Sequence, residues 1–362
     1  VTKGDWEVTG YYGFDNKTGS IFYQSVENGS INRDVYRISL NGKNKVRLST
    51  QTGTNSATFS PNFEFFINSF SSASEPTSYA LHNAKDGKQV KSIVTNDALK
   101  SKLDGFSLPK KEFMVITTEK GHKLNAWMIK PADFDAAKKY PVFMYQYSGP
   151  GSQQVNNEWN SADDYWFMML AQQGYIVACV DGRGTGYKGA EFKKVTYKEL
   201  GKYEVEDQID AARVFGKYNY VDASRIGIFG WSYGGFMSSN CILKGNDVFK
   251  MAIAVAPVTN WRFYDSVYTE RYMQTPQENA SGYDSNSPIN HVEKLKGAYL
   301  LVHGTGDDNV HVQNTMLMVN ALVNANKQFD WAIYPDKNHG IYGGATRLQL
   351  YTKMTNFIKE KL

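Results

Sequence analysis

Cysteine is scarce in this chain of 362 residues: only Cys179, in the apolar run Y-I-V-A-C-V, and Cys241, in F-M-S-S-N-C-I-L. Two thiols set inside apolar runs read as small buried side chains, which argues against a disulfide framework or a paired redox motif. Long hydrophobic runs are also missing, and no stretch approaches the roughly 20 apolar residues of a membrane-spanning helix. Charge of one sign is concentrated nowhere. The net charge is +4 and the pI about 8.7, with Lys and Arg scattered, so neither nucleic acid nor a membrane surface is an expected partner. The chain opens V-T-K-G-D-W, without methionine or a signal-peptide pattern, and predicts a processed product or an excised fragment whose targeting sequence lies elsewhere.

What is present is enough apolar matter, 41% of residues, for a large core, and a length that suits one large domain plus part of a second. From Trp6 to about Asp97, short alternating runs (S-I-F-Y-Q-S-V, V-Y-R-I-S-L, F-E-F-F-I-N-S-F) are separated by turn signals such as D-N-K-T-G and L-N-G-K-N. That texture is antiparallel β, in a sandwich or about two propeller blades, with a free-standing small β domain as the competing reading. Beyond Pro109, F-M-V-I-T-T and K-L-N-A-W-M-I-K-P read as a hairpin. Apolar runs at Val142–Tyr147, Tyr175–Val180, Ile226–Phe229, Met251–Ala256, Ala298–Val302 and Phe329–Tyr334 then alternate with segments of helical period. The prediction is α/β, with a doubly wound and mostly parallel sheet.

Gly230-Trp231-Ser232-Tyr233-Gly234 matches G-x-S-x-G, follows the strand R-I-G-I-F and precedes the helical F-M-S-S-N-C-I-L. That context is the nucleophile elbow of an α/β-hydrolase, in which small residues let the chain turn sharply and present the serine hydroxyl. A serine needs a base, and the base needs a carboxylate on its far nitrogen. In the order expected of this fold, Asp307 follows A-Y-L-L-V in H-G-T-G-D-D-N-V-H, and His339 follows F-D-W-A-I-Y in Y-P-D-K-N-H-G. All three fall past the carboxyl ends of predicted parallel strands, where open α/β sheets place their sites.

Rival readings of these residues exist. Asp308 could serve as the acid, and His303, Asp307, Asp308 and His311 together resemble a metal cluster, but no matching carboxylate pair elsewhere completes it. No metal or cofactor is therefore expected. His82, His122 and His291 read as surface residues. Gly184-Thr185-Gly186-Tyr187-Lys188-Gly189 fits G-x-G-x-x-G, yet Glu204 and Glu206 lie inside a helix-like segment rather than at a strand end, so D-G-R-G-T-G reads as a structural loop and not a dinucleotide site.

Taken together, G-W-S-Y-G-G, D-G-R-G-T-G, E-V-E-D-Q-I, A-P-V-T-N-W, Y-D-S-V-Y-T-E-R-Y-M and H-G-T-G-D-D-N-V-H resemble the dipeptidyl peptidase IV branch of the prolyl oligopeptidase family. The resemblance runs from about Trp6 to the C-terminus. It implies that residues 1–108 are the last two blades of a β-propeller and 109–362 the α/β-hydrolase domain. It further implies that the hydroxyl of Tyr147 and the main-chain N–H of Tyr233 hold the oxyanion. Tyr233, Val258, Trp261, Tyr264 and Tyr268 would wall a proline-sized pocket, with Asn309 contacting a neighbouring substrate carbonyl; ordinary core packing is the bland alternative for Trp261 above all. In the family, the acidic pair that captures the substrate's amino terminus and its arginine companion belong to other propeller segments.

The implied activity is release of N-terminal Xaa-Pro or Xaa-Ala dipeptides from peptides through an acyl-enzyme on Ser232. A tripeptidyl or acylaminoacyl peptidase of the same family is the alternative. A non-catalytic binding protein on the same fold is a third reading, disfavoured by the intact triad. The resemblance also implies a periplasmic or secreted bacterial location and allows a homodimer of the full-length protein. The late disulfide usual in the family cannot form from Cys179 and Cys241.

Overall fold

The computed structural model describes residues 1–159 and 161–362. The chain divides into two compact units, one of Val1–Lys111, Val155–Met169 and Gly186–Ala190, the other of Glu112–Gln154, Leu170–Thr185 and Glu191–Leu362.

The first unit contains two antiparallel sheets of four strands. One is β1 (Val8–Asp15), β2 (Ser20–Ser25), β3 (Asp34–Ser39) and β4 (Val46–Arg47); the other is β5 (Thr54–Phe59), β6 (Phe65–Ser72), β7 (Glu75–Asn83) and β8 (Gln89–Val94). Each sheet is a simple meander in chain order, as short strands joined by tight polar turns dictate. Phe22, Val35, Leu48, Phe66 and Ala84 form a shared apolar cluster. His82 departs from the expectation of a surface residue. It lies in β7, buried, with its ring 5.2 Å from that of Phe66 and its Nδ1 2.8 Å from the Gly87 carbonyl oxygen. Alternation along β7 turns this polar side chain inward, and the Gly87 carbonyl satisfies it.

The second unit is built on an eight-stranded sheet. Its strands are β9 (Lys111–Thr117), β10 (Lys123–Ile129), β11 (Tyr140–Tyr145), β12 (Ile176–Asp181), β13 (Val221–Trp231), β14 (Met251–Val255), β15 (Ala298–Gly304) and β16 (Asp330–Tyr334). The spatial order is β16-β15-β14-β13-β11-β12-β10-β9. Pairings from β12 through β16 are parallel, while β10 meets β12 antiparallel. Over the described residues of both units the helices, in chain order, are α1 (Asp97–Asp104) and α2 (Ala162–Gln172), which lie wholly and mostly in the first unit, then α3 (Ala190–Lys194), α4 (Tyr203–Gly216), α5 (Tyr233–Lys244), α6 (Ser266–Met273), α7 (Ala280–Asn286), α8 (Gln313–Asn324) and α9 (Thr346–Lys361). Every residue of β12 and β14 is buried, which is why these strands read as continuous apolar runs rather than alternating ones.

After β11 the chain steps outward to β12 and then returns to β13 on the other side of β11. The carboxyl ends of β11 and β13 therefore flank the point where the strand order reverses, the crevice such sheets use for ligands. This is the predicted α/β-hydrolase arrangement. Among the described residues, no helix is long and apolar enough to cross a membrane.

Candidate active site

Ser232 sits between the last residue of β13 and the first of α5, with φ 61° and ψ −118°. A non-glycine residue in this region is strained and persists only where its surroundings over-determine it. Here the Ser232 N–H donates to the Val255 carbonyl at 2.8 Å, and its carbonyl accepts from Phe236 N–H at 3.0 Å. The flanking glycines are required by space. A Cβ on Gly230 would lie 2.3 Å from the Gly234 carbonyl oxygen, and one on Gly234 would lie 2.6 Å from the Gln146 carbonyl oxygen. Gln146, buried just after β11, tightens the turn by donating from Nε2 to the Gly234 carbonyl at 2.8 Å and to Ser238 Oγ at 3.1 Å.

The predicted acid and base meet at the ends of β15 and β16. His339 Nδ1 donates to Asp307 Oδ2 at 2.7 Å, which leaves Nε2 as the basic nitrogen. The Asp307 carboxylate also accepts on Oδ1 from the main-chain N–H groups of Asn309 (3.0 Å) and Val310 (2.9 Å). A further donor was not foreseen: His303 Nε2 lies 3.2 Å from Asp307 Oδ2 and 2.8 Å from the Val310 carbonyl oxygen. Two acceptors face that nitrogen, so it carries the proton, and Nδ1 accepts from the Thr315 hydroxyl at 2.7 Å. Burial alone would raise the Asp307 pKa, but hydrogen bonds from His303 and His339 outweigh it and hold the carboxyl well below its ordinary 3.8. Asp308 and His311 are exposed.

The loop bearing His339 is fastened to its neighbours. Gly306 N–H donates to the Lys337 carbonyl at 3.0 Å, Asp336 N–H to Thr305 Oγ1 at 2.9 Å, and Trp231 Nε1 to the His339 carbonyl at 2.9 Å. Trp231 of the elbow thus holds the backbone of the predicted base, an arrangement that the motif alone does not reveal.

Tyr147, half-buried, has its phenol beside the side chain of Ser232, and burial raises its pKa. A phenol kept protonated beside the nucleophile can donate to an oxyanion formed there. Its ring is 6.0 Å from that of Tyr233, which is 5.4 Å from Trp261. Tyr264 and Tyr268 continue the cluster, 5.9 and 6.0 Å from Trp261 and 5.3 Å from each other. Tyr233, Val258 and Trp261 are buried and Tyr264 and Tyr268 only partly so, which gives an aromatic wall with an open side. The Tyr264 hydroxyl donates to Asn309 Oδ1 at 2.8 Å, so the exposed Asn309 amide keeps its NH2 as the group free to donate.

The D-G-R-G-T-G stretch is a loop. Arg183 pairs with buried Asp207 of α4, Nη2 to Oδ1 at 2.7 Å and main-chain N–H to Oδ2 at 2.7 Å.

Comparison with known proteins identifies the family and the fold. The model of the prolyl oligopeptidase family matches residues 161–362, and that of the dipeptidyl peptidase IV N-terminal region matches residues 1–77. Dipeptidyl peptidase 4 of Sus scrofa is 39% identical over 99% of this chain and 48% of its own length. Dipeptidyl peptidase 4 of Trichophyton equinum is 39% identical over 94% of this chain and 45% of its own. The crystal structure of Porphyromonas gingivalis dipeptidyl peptidase 4 superposes with a TM-score of 0.97 at 51% identity, covering 100% of this chain and 51% of that one. The chain spans about half the length of these relatives.

Proposed function

From the premise that this chain belongs to the prolyl oligopeptidase family, we propose that it carries the chemistry of a serine exopeptidase releasing N-terminal Xaa-Pro or Xaa-Ala dipeptides. The observation that carries the reading is the convergence of Ser232 on a strained elbow, the Asp307–His339 bond and the Tyr147–Ser232 contact at one edge of the sheet.

In the proposed reaction Ser232 Oγ attacks the scissile carbonyl while His339 Nε2 takes its proton, and Asp307 stabilises the imidazolium. The charge formed on the carbonyl oxygen is met by the Tyr233 N–H and the Tyr147 hydroxyl, donors worth on the order of 3 kcal/mol each. The carbon–nitrogen bond then breaks as His339 returns the proton to the departing amine. Water, deprotonated by His339, releases the dipeptide from Ser232. The aromatic wall of Tyr233, Val258, Trp261, Tyr264 and Tyr268 suits a proline ring, which is apolar, rigid and flat-sided.

A fluorophosphonate probe and Ala-Pro p-nitroanilide test the proposal. Wild-type protein is expected to be labelled at Ser232 and to hydrolyse the anilide, and Ser232→Ala to fold normally and do neither. Undiminished labelling or turnover in Ser232→Ala would exclude this nucleophile.

A further inference from the structure

Glu204, in the first turn of α4, is fully buried, yet no Lys or Arg among the described residues pairs with it. Oε1 accepts from the Tyr233 hydroxyl at 2.6 Å, and Oε2 from Gly201 N–H at 3.1 Å; its own N–H is a further donor. The site is built for close approach. Gly201 has φ 89°, and a Cβ there would lie 2.3 Å from Phe236 Cζ of α5, so the loop before α4 presses directly on the helix that starts at the nucleophile. Tyr233 is the first residue of that helix, and its ring is packed against Phe236 (5.3 Å), Trp261 (5.4 Å) and Tyr147 (6.0 Å).

A buried carboxyl is expensive, and so is a buried phenol without a partner. Each is the principal side-chain partner of the other here, so removing one strands the other. We propose that Glu204 is a positioning residue that, by accepting the hydroxyl of Tyr233, fixes both the pocket-wall ring and the main-chain N–H that faces the oxyanion. The inference rests on the reading of Ser232 as the nucleophile.

The charge state of Glu204 matters to that bond, because a carboxylate accepts more strongly than a carboxylic acid. The Tyr233 phenol of α5 touches it, and the charged or titratable groups that act on it from farther away are Lys244 of α5, Asp207 of α4 and Tyr268 of α6. Burial is the largest influence and pushes its pKa up to about 7, against the lowering effect of its hydrogen bonds. The anion is supported at the positive end of a helix of 14 residues.

The test uses Glu204→Gln, Tyr233→Phe and the double variant in the whole protein, with Glu206→Gln as the control. Glu206, on the outward side of the same turn, pairs with Lys120. Two readouts are followed: the second-order rate of Ser232 phosphonylation, and kcat/KM on Ala-Pro p-nitroanilide, each against pH. Either single variant is expected to lose on the order of tenfold in both rates at pH 8, the double variant to lose no more than the worse single, and the control to match wild type. Protonated Glu204 is neutral like Gln, so the roughly tenfold advantage of wild type over Glu204→Gln at pH 8 should narrow towards none as the pH falls below about 7, while both rates fall together as the base is protonated. Losses that multiply in the double variant, or a wild-type advantage that stays constant from pH 8 into acid, would overturn the proposal. Should Glu204→Gln fail to fold, Tyr233→Phe decides: a wild-type phosphonylation rate in that variant overturns it. Absent anilide turnover with normal phosphonylation would instead refute the dipeptidase reading and leave Glu204 to be judged by phosphonylation.

Discussion

Replacing Glu204 by Gln should change how stability depends on pH, by an amount that follows from its burial. Its pKa stands at about 7 in the folded protein against an ordinary 4.5. Between these values the native state keeps a proton that the unfolded chain has released, so stability falls as pH rises through the window and levels off above about pH 7. At about 1.4 kcal/mol per pH unit, that interval amounts to about 3 kcal/mol. The raised pKa makes the sign opposite to that of a salt-bridged carboxylate. Gln carries no charge at any pH, so the stability of Glu204→Gln minus that of wild type should climb by about 3 kcal/mol from pH 4.5 to pH 8.5. Exchanging one carboxyl oxygen for an amide NH2 also adds an offset at the Gly201 and Tyr233 contacts, and this offset does not vary with pH. Groups that titrate alike in both proteins, Asp307 included, cancel in the subtraction. Urea unfolding at intervals of half a pH unit, followed by tryptophan fluorescence, measures the curve. A flat difference curve, or one that descends with pH, would refute the burial argument.

Two further outcomes follow from the geometry. Asp307→Asn should lower kcat by roughly 10⁴-fold, whereas Asp308→Asn should stay within about threefold of wild type, since it is Asp307 that holds His339 Nδ1; steady-state kinetics that reverse the order would reassign the acid. Gly234→Ala should cost about 3 kcal/mol and most of the activity, because the new methyl would meet the Gln146 carbonyl oxygen at 2.6 Å, and a thermal midpoint equal to wild type would contradict the close packing of the elbow.

Much of the fold could be read in advance, for reasons visible strand by strand. β12 and β14 are covered on both faces, so their apolar runs are uninterrupted and marked a parallel sheet. β2 and β6 carry enough alternation to announce antiparallel pairing. β8 is exposed along its whole length, and β4 has two residues, so neither leaves a periodic trace. His82 is hidden for a related reason: a polar residue near a turn signal looks external until strand phase places it inward.

The reacting groups were legible because chemistry limits them to a few residue types in a fixed order after strands. Their supports were not, because each acts across a long stretch of chain: Gln146 on Gly234, Trp231 on His339 and Glu204 on Tyr233 join residues 88, 108 and 29 positions apart. Strain explains why such supports exist. Ser148, Ser232 and Ala256 follow the three adjacent strands β11, β13 and β14, and all have positive φ, at 64°, 61° and 46°. Left-handed conformations at non-glycine residues cost roughly 1–3 kcal/mol each. An edge with three of them would relax unless clamped, and the clamps run through the residues that adjoin it. Gln146 precedes the Tyr147–Ser148 turn and grips the elbow, while the main-chain bond from Ser232 to Val255 ties the elbow to the strand before Ala256. The elbow is therefore held by its neighbours on both sides of the sheet reversal, and the Glu204–Tyr233 bond secures it from the helix behind.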